Sequence, residues 1–376
     1  MKITKGLVFC DDFELQNRDV YCDGDTITDS GAAGDGEVLD ATGCIVSPGF
    51  VDIHIHGAYG TDFCDGTTAA NENIAKYLSS TGVTSYLGTT MAYDKDKLVD
   101  MMGCAGELMD HPRLGSAVMR GINLEGPFAS EEKKGAMQAK YLVKPDFEYF
   151  MKLFNACGKR IKLTDIAPEL EGGMDLVEKA SKVSVVSLAH TNADYDTAKK
   201  AFESGASHVT HLFNAMPPLN HRDPGVIGAA CDFANQAELI CDGIHIHPSA
   251  IRAAFKLFGD DRICLISDSM MACGMSNGVY SLGGQTVTVL NGKATLESGT
   301  IAGSATPLTE CFRRAVKLFG IPLISGLKAA TANPARAIGM SDLIGSITPK
   351  KRADFTLFDA ETLMVKHCVI GGKLVF

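Results

Sequence analysis

The chain has 376 residues, of which 45% are hydrophobic and 21% charged, and its net charge at pH 7 is −10. This composition excludes a disordered chain, and the acidic balance argues against nucleic acid or an anionic membrane surface as a partner. No uninterrupted apolar stretch approaches the ~18 residues of a membrane helix. The apolar run at 6–10 stops at Asp11 and Asp12, so no signal peptide is predicted and we expect a cytoplasmic protein.

The two ends of the chain share one pattern. Short β-type runs separated by Gly and Asp lie at 2–9, 19–21 and 26–28, and similar runs return at 355–358, 365–370 and 374–376. Neither end carries a long helical period. We therefore predict a small β-sandwich domain formed by both termini, from residues 1–47 plus 345–376.

The middle of the chain, 48–344, alternates between strand-like and helix-like runs. The strand-like runs lie at 51–55, 83–88, 118–124, 161–166, 183–188, 208–213, 238–244 and 263–267. Helix-like runs between them include 70–80, 95–109 and 194–204, the last capped by Asn192 or Asp194. Eight strands that alternate with helices are typical of an α/β fold, the (β/α)8 TIM-like barrel. The glycine-rich stretch 270–305 is predicted to be a hairpin or loop inserted after the eighth strand.

Ionisable residues collect where the predicted strands end, which is the catalytic end of such barrels. These residues are His54, His56, Glu125, His190, His211, His245, His247 and Asp268. His-x-His on a strand places both imidazoles on one face, so both can reach the same metal ion. Imidazole and carboxylate ligands without thiolate suit a divalent metal, Zn first, with Fe, Mn or Co as alternatives.

The twelve cysteines are predicted to be reduced packing residues. They are scattered along the chain and form no Cys-x-x-Cys pair. Cys64, Cys241 and Cys273 lie near the candidate ligands, but a free cysteine usually behaves as a small buried hydrophobe. We therefore leave thiolates out of the predicted metal site.

Hydrolysis of an amide is one reaction that such a site can support. A metal polarises the carbonyl and lowers the pKa of water towards ~7, and a nearby carboxylate can carry the water proton to the amide nitrogen. Asp268, at the end of the eighth strand, is the candidate for that proton transfer, and it is also a candidate ligand. The loop 217–225 carries Arg222, which together with the backbone amides of Asn214 and Ala215 is a candidate binding site for an anion.

Several motifs resemble a known family. The run Pro-Gly-Phe-Val-Asp-Ile-His-Ile-His-Gly at 48–57 resembles the opening strand of the amidohydrolase superfamily. Within it, the chain resembles the N-acetylglucosamine-6-phosphate deacetylase branch through the sequence at 124–128, 133–136, 211–216, 222–225, 242–245 and 267–270. The resemblance extends from about 45 to 360 and includes 299–304 and 333–335. The string His-Leu-Phe-Asn-Ala-Met at 211–216 is its most specific part.

The resemblance implies roles for individual residues. The ligands of the main metal are Glu125, His190 and His211, those of a second metal are His54 and His56, and Asp268 is the general acid and base. One or two divalent metals per subunit are implied. The implied substrate contacts are Asn214, Ala215, Arg222 and His245 for the sugar phosphate, the pair Ala136 and Met137, and the loop Ile301, Ala302 and Gly303. The expected partner is a phosphorylated amino sugar, and the expected assembly is a homodimer or homotetramer.

One position departs from the pattern of that family. Members usually have His or Gln after the Gly-Ala pair, whereas this chain has Met137, with Gln138 next. A thioether donates no hydrogen bond to an acetyl carbonyl or a sugar hydroxyl. Gln138 is the candidate replacement. The alternative is a site in which the metal and His245 alone polarise the amide, and the sugar epimer is open.

The residues leave two alternatives. A cyclic-amide hydrolase or a deaminase of the same superfamily is one, but cyclic-amide hydrolases commonly bridge two metals with a carboxylated Lys on the fourth strand. Here that strand has only Lys162, near its start. A non-catalytic homologue used for binding or assembly is the other, and it should have lost ligands that this chain retains.

Overall fold

Eight parallel strands form a nearly closed barrel at the centre of the computed structural model, which describes residues 1–29 and 37–376. The barrel strands are Phe50–Ile55, Val83–Thr89, Val118–Leu124, Ile161–Ile166, Val185–Leu188, Ala206–Val209, Gln236–Ile240 and Ile263–Ile266. They lie side by side in chain order. Every residue of the first, second, seventh and eighth of these strands is buried, as expected for parallel strands covered on both faces. The predicted (β/α)8 barrel is confirmed.

Backbone hydrogen bonds join the first and eighth strands at the carboxyl end of the barrel. The N–H of Asp268 donates to the carbonyl of His54 at 3.0 Å, and the N–H of His56 donates to that of Ser269 at 2.9 Å. Ile55 and Ser269 also form a parallel bridge. The segments that carry His54, His56 and Asp268 are therefore held against one another independently of their side chains.

Helices surround the barrel. The α-helices are Thr68–Ser80, Lys95–Asp110, Phe147–Ala156, Gly173–Ala180, Tyr195–Glu203, Gly225–Phe233, Pro248–Phe258, Leu308–Lys317, Leu323–Ala330 and Ala332–Ala337. Short 3-10 turns lie at Phe63–Asp65, Glu131–Lys133 and Ala139–Tyr141. The predicted helices 70–80, 95–109 and 194–204 are confirmed, and Asp194 caps the last by accepting the N–H of Thr197 at 2.8 Å. In 1–29 and 37–376, no helix combines the length and apolar character needed to cross a membrane.

The ends predicted for the sixth and seventh strands were wrong. The sixth stops at Val209 instead of 213, and the seventh stops at Ile240 instead of 244. The chain leaves the sixth strand through His211, at φ 28°. Beyond the seventh, the side chain of Asp242 accepts the N–H groups of Ile244 and His245 and so forms a turn. His245 and His247 therefore do not lie on the seventh strand, and their side chains do not share one strand face. His247 is exposed and caps the helix that follows.

Strands from both termini form a separate domain of two sheets. One sheet contains, in spatial order, Thr26–Thr28, Val20–Asp23, Lys2–Thr4 and Val38–Asp40. The other contains Lys373–Leu374, Val365–Ile370, Phe355–Asp359, Cys44–Pro48, Leu7–Phe9 and Leu15–Asn17. Side chains from both ends, among them Ile3, Val46 and Phe355, share one apolar core. The boundaries 1–47, 48–344 and 345–376 stay a proposal.

An antiparallel sheet is inserted after the eighth barrel strand, as predicted. Its strands are Gly278–Leu282, Gln285–Leu290 and Lys293–Thr295. The first turn consists of Gly283 and Gly284, both at positive φ, which a two-residue hairpin turn of this kind requires. This turn brings Leu282 to the wall of the main cavity.

All twelve cysteines lie in the described part of the chain as unpaired thiols, and ten of them are buried. Cys64, Cys241 and Cys273 are among the buried ones, which confirms their prediction as packing residues. Burial raises the pKa of the Cys241 thiol well above its ordinary value. These cysteines are therefore held as neutral thiols.

Candidate metal centre and active site

Four histidines surround the carboxylate of Glu125 at the carboxyl end of the barrel. Its Oε1 lies 2.9 Å from Nε2 of His190 and 3.0 Å from Nε2 of His211. Its Oε2 lies 3.1 Å from Nε2 of His56, and Nε2 of His54 lies 3.5 Å from Oε1. Glu125 is thus shared by two triads of close ligand atoms, one with His54 and His56 and one with His190 and His211.

The donor atoms of this cluster fit a divalent metal. The ring N–H at Nδ1 of His190 donates to the carbonyl of Lys133 at 2.8 Å, which leaves a lone pair on Nε2. That atom lies 3.1 Å from Nε2 of His211 and faces Glu125. Nε2 of His54 is fully buried and has no hydrogen-bond partner among the described residues. Basic nitrogens and a carboxylate that converge in this way need a cation between them.

The charges of the cluster shift the titration of its members. Burial lowers the pKa of His56, but Glu125 and Asp268 outweigh this effect and raise that pKa to about 10. These carboxylates thus favour a positive charge at Nε2 of His56, for which a proton and a metal ion compete. Burial raises the pKa of Asp268, but His54 and His56 outweigh it and hold that pKa below its ordinary value. Oδ1 of Asp268 lies 3.3 Å from Nε2 of His56. Asp268 is therefore an ionised carboxylate beside the cluster.

Three residues of the site have a backbone conformation that is rare for side chains other than glycine. His190, His211 and Asp268 have φ of 44°, 28° and 47°. Each lies just beyond a barrel strand, where the chain turns sharply and aims the side chain inward. Such conformations cost energy and collect at functional sites. Gly135 packs over His190, and a Cβ there would lie 3.3 Å from the Cε1 atom of His190.

The cluster forms the floor of a cavity of about 530 Å³. Most of the predicted site residues line it, namely His56, Glu125, Ala136, Met137, His190, His211, Asn214, Ala215, His245, Asp268, Ile301 and Gly303. The other lining residues are Met91, Glu131, Glu132, Lys133, Lys134, Gly135, Leu282 and Thr300. The cavity therefore combines carboxylates, imidazoles and lysines with an apolar wall of Met91, Met137 and Leu282.

Four predicted residues lie outside the cavity lining. His54 is buried within the cluster, and Ala302 is buried next to Ile301. The side-chain amide of Gln138 donates from Nε2 to the carbonyl of Gly283 at 2.6 Å, so it is bonded to the hairpin turn. Arg222 is exposed in its loop. Lys162 is the second residue of the fourth barrel strand, so it lies at the opposite end from the cluster.

Comparison with known proteins shows a consistent set of relatives. The sequence profile of the amidohydrolase family matches residues 45–375. The N-acetylglucosamine-6-phosphate deacetylase of Bacillus subtilis (strain 168) is 36% identical over 90% of this chain and 87% of its own length. The human N-acetylglucosamine-6-phosphate deacetylase is 32% identical over 90% of this chain and 85% of its own length. The chain belongs to the amidohydrolase family, in its N-acetylglucosamine-6-phosphate deacetylase branch.

Solved structures give the same relationship. A mutant N-acetyl-D-glucosamine-6-phosphate deacetylase from Mycobacterium smegmatis, in complex with N-acetyl-D-glucosamine-6-phosphate, superposes with a TM-score of 0.92. It is 29% identical, over 100% of this chain and 99% of the other. The enzyme from Thermotoga maritima has a TM-score of 0.88 at the same identity. The amidohydrolase family is metal-dependent, and this member has a His and Glu site suited to a metal.

Sequence reasoning missed two carboxylates that support the site of this amidohydrolase. Oδ2 of Asp242 accepts the ring N–H at Nδ1 of His245 at 2.7 Å. Oε2 of Glu238 accepts the ring N–H at Nδ1 of His54 at 2.9 Å. The sequence does carry one indication of a role for Glu238, since it is the one carboxylate in the buried strand Gln236–Ile240. Asp242 lies inside the motif at 242–245, but its contact with His245 is seen only in the structure.

Proposed function

We propose that this chain hydrolyses the acetamido group of N-acetylglucosamine-6-phosphate to glucosamine-6-phosphate and acetate. The observation that carries the proposal is one cavity with two kinds of groups. Its floor is the cluster around Glu125, with Asp268 beside it, and its wall carries Asn214, Ala215 and His245. The first group suits cleavage of an amide, and the second suits a bound anion. The names of the relatives agree with this substrate.

Zinc is the metal that we propose, held by Glu125, His190 and His211, with His54 and His56 completing a second position. A bound divalent metal at this place supplies carbonyl polarisation and a water of lowered pKa. Three histidines whose ring nitrogens face a carboxylate match the ligand preference of zinc. Iron, manganese and cobalt are the alternatives, and metal analysis of the purified protein distinguishes them.

Asp268 is the residue that we propose for proton transfer. Its lowered pKa keeps it ionised at neutral pH, so it can accept the proton of the attacking water. The same carboxyl group then returns the proton to the amide nitrogen, which leaves as an amine. Backbone bonds to His54 and Ser304 fix its position, at 3.0 and 2.7 Å. Glu125 is the other cavity carboxylate close to His56, at 3.1 Å against 3.3 Å for Asp268, but both of its oxygens face the histidines of the proposed metal positions.

His245 is proposed to hold the sugar phosphate as an imidazolium. Burial lowers its pKa, but the hydrogen bond and charge of Asp242 outweigh burial and raise that pKa above the ordinary value. His245 therefore stays protonated to a higher pH than a free histidine does. A protonated imidazole makes a charge-assisted bond to phosphate, which is stronger than a neutral one.

Replacement of Asp242 by Asn should therefore shift the pH dependence of KM. Without the carboxylate, burial lowers the pKa of His245, so the imidazole loses its proton at a lower pH. We expect KM at pH 7.5 to rise about tenfold or more and to recover as the pH is lowered. The measurement is KM between pH 5.5 and 9 for wild type and variant. An unchanged pH profile with the phosphorylated sugar would contradict this role of His245.

Arg222 is proposed to complete the phosphate site from a neighbouring subunit of a homodimer. It is exposed and does not line the cavity of its own chain, so it is free to meet a second copy. Its guanidinium can donate two parallel bonds to a phosphate. This arrangement makes the assembly part of the active site.

The Arg222→Ala variant should lose about 30- to 1000-fold in kcat/KM with the phosphorylated sugar and almost nothing with the unphosphorylated one. The reason is that only the phosphorylated sugar offers a charge to clamp. Arg113→Ala, which removes another exposed arginine, is the control. Mixing Arg222→Ala with Asp268→Asn chains should restore some activity if the loop acts across the interface. Equal losses on both sugars would show that Arg222 has a structural role.

A substrate screen tests the proposed function directly. Acetate release is measured with N-acetylglucosamine-6-phosphate, its galactosamine and mannosamine epimers, and the unphosphorylated sugar. We expect the first to be preferred. An epimeric N-acetylhexosamine-6-phosphate is the second candidate, because buried Met137 offers the sugar no hydrogen-bond donor from its side chain. Absence of deacetylation with all four compounds would refute the proposal.

A further inference from the structure

Glu238 connects both halves of the candidate metal centre without belonging to either. It lies in the seventh barrel strand, is fully buried, and does not line the cavity. Its Oε2 accepts the ring N–H at Nδ1 of His54 at 2.9 Å and the backbone N–H of His211 at 3.1 Å. One carboxylate oxygen therefore holds a histidine of the first triad and the backbone of a histidine of the second.

The hydrogen bond from His54 determines which of its nitrogens can bind a metal. A neutral imidazole carries one N–H, and a carboxylate can only accept. The proton on Nδ1 therefore leaves Nε2 with a lone pair, and Nε2 is the atom that faces Glu125 and Asp268 at 3.5 and 3.6 Å. A carboxylate behind a histidine also makes the ring a stronger ligand.

The burial of Glu238 argues against a role in packing alone. An isolated carboxylate in an apolar strand is strongly unfavourable because its charge loses hydration, and a Gln or Leu would avoid that cost. Its second oxygen, Oε1, has no hydrogen-bond partner among the described residues, and Nε2 of His208 lies 4.0 Å away. Among the described residues, the hydrogen bonds of this carboxyl group are thus those from Nδ1 of His54 and the backbone N–H of His211.

We propose that Glu238 is a positioning residue that holds His54 as an Nε2 ligand and so determines the affinity of the position formed by His54, His56 and Glu125. This inference rests on the proposed metal centre and not on the proposed substrate. The position formed by Glu125, His190 and His211 depends on Glu238 only through one backbone bond. The two positions should therefore respond differently to a change at Glu238.

Glu238→Gln tests the inference, because it retains the shape and an acceptor oxygen but removes the charge. Chelator-treated protein is titrated with Co²⁺, and binding is followed by visible absorption and by equilibrium dialysis. Wild type is expected to bind two equivalents. The variant should bind the first as wild type does and the second about 10- to 100-fold more weakly.

His208→Gln is the matched control, since it alters a buried polar side chain beside Glu238 that has no bond to any candidate ligand. It should bind both equivalents like wild type. Thermal midpoints in chelator show whether each variant is folded. Wild-type binding by Glu238→Gln, an equal loss in His208→Gln, or a single equivalent in wild type would each overturn the inference. Sugar turnover is not measured in this titration, so its result is independent of the proposed substrate.

Discussion

Replacement of Asp268 by Asn is expected to lower kcat with N-acetylglucosamine-6-phosphate by ~10²-fold or more while the substrate still binds. The amide has the shape of the carboxylate but cannot accept the water proton at neutral pH. Backbone bonds to His54 and Ser304 hold residue 268, so the fold should tolerate the change. The measurements are kcat from acetate release and Kd from calorimetry.

The control is Asp175→Asn, which also replaces a carboxylate by an amide but at an exposed site paired with Lys179. It should leave kcat unchanged. Metal content should be measured on both variants, because Asp268 is also a candidate ligand. Near-normal turnover in the Asp268→Asn variant would remove this residue from the mechanism. A loss of turnover that is fully explained by lost metal would make Asp268 a ligand only.

Replacement of Glu125 by Gln should have the larger effect, with a fall in turnover of ~10³-fold or more. Glu125 contributes an oxygen to both triads, and it is the carboxylate common to both. Burial raises the pKa of Glu125, but the charges of His54 and His56 outweigh burial and hold that pKa well below its ordinary value. Without the charge of Glu125, both positions lose their anionic ligand, and a metal contribution of several kcal/mol is lost with it.

Metal content by atomic emission and turnover with added metal are the measurements for Glu125→Gln. Glu132→Gln is the control, because Glu132 lines the same cavity but contacts Asn192 instead of a candidate ligand. The control should retain its metal. Wild-type metal content and turnover in the Glu125→Gln protein would refute the shared-ligand arrangement.

Local patterns were enough to predict the first barrel strand and its two histidines. Strand periodicity and the His-x-His spacing place His54 and His56 on one face, and their rings lie 5.3 Å apart. The helix that begins at Tyr195 was predicted with Asn192 or Asp194 as its cap, since capping depends on residues close in the chain, and Asp194 is the cap. Strand periodicity and helix capping depend on interactions between residues close in the chain, so they can be recognised from the sequence alone.

The ends of the sixth and seventh strands could not be predicted in the same way. The apolar residues beyond Val209 and Ile240 look like continuing strand, but His211 and Asp242 turn the chain there. That turn brings side chains into contact with residues far away in the sequence. Nε2 of His211, for example, lies 3.0 Å from Oε1 of Glu125, which is 86 positions earlier in the chain. Local preference is overruled by such long-range contacts.

By itself, the sequence of this protein determined the barrel, the terminal β domain and the types of residue that meet at the carboxyl end of the strands. Period, capping residues and turn glycines act over a few positions, so they can be recognised without coordinates. Only the tertiary structure decided that Glu125 is shared by both triads, that Asp242 supports His245, and that Glu238 supports His54 from 184 positions away. The physical reason is that a buried carboxylate derives its role from the groups that surround it, and closure of the barrel selects those groups.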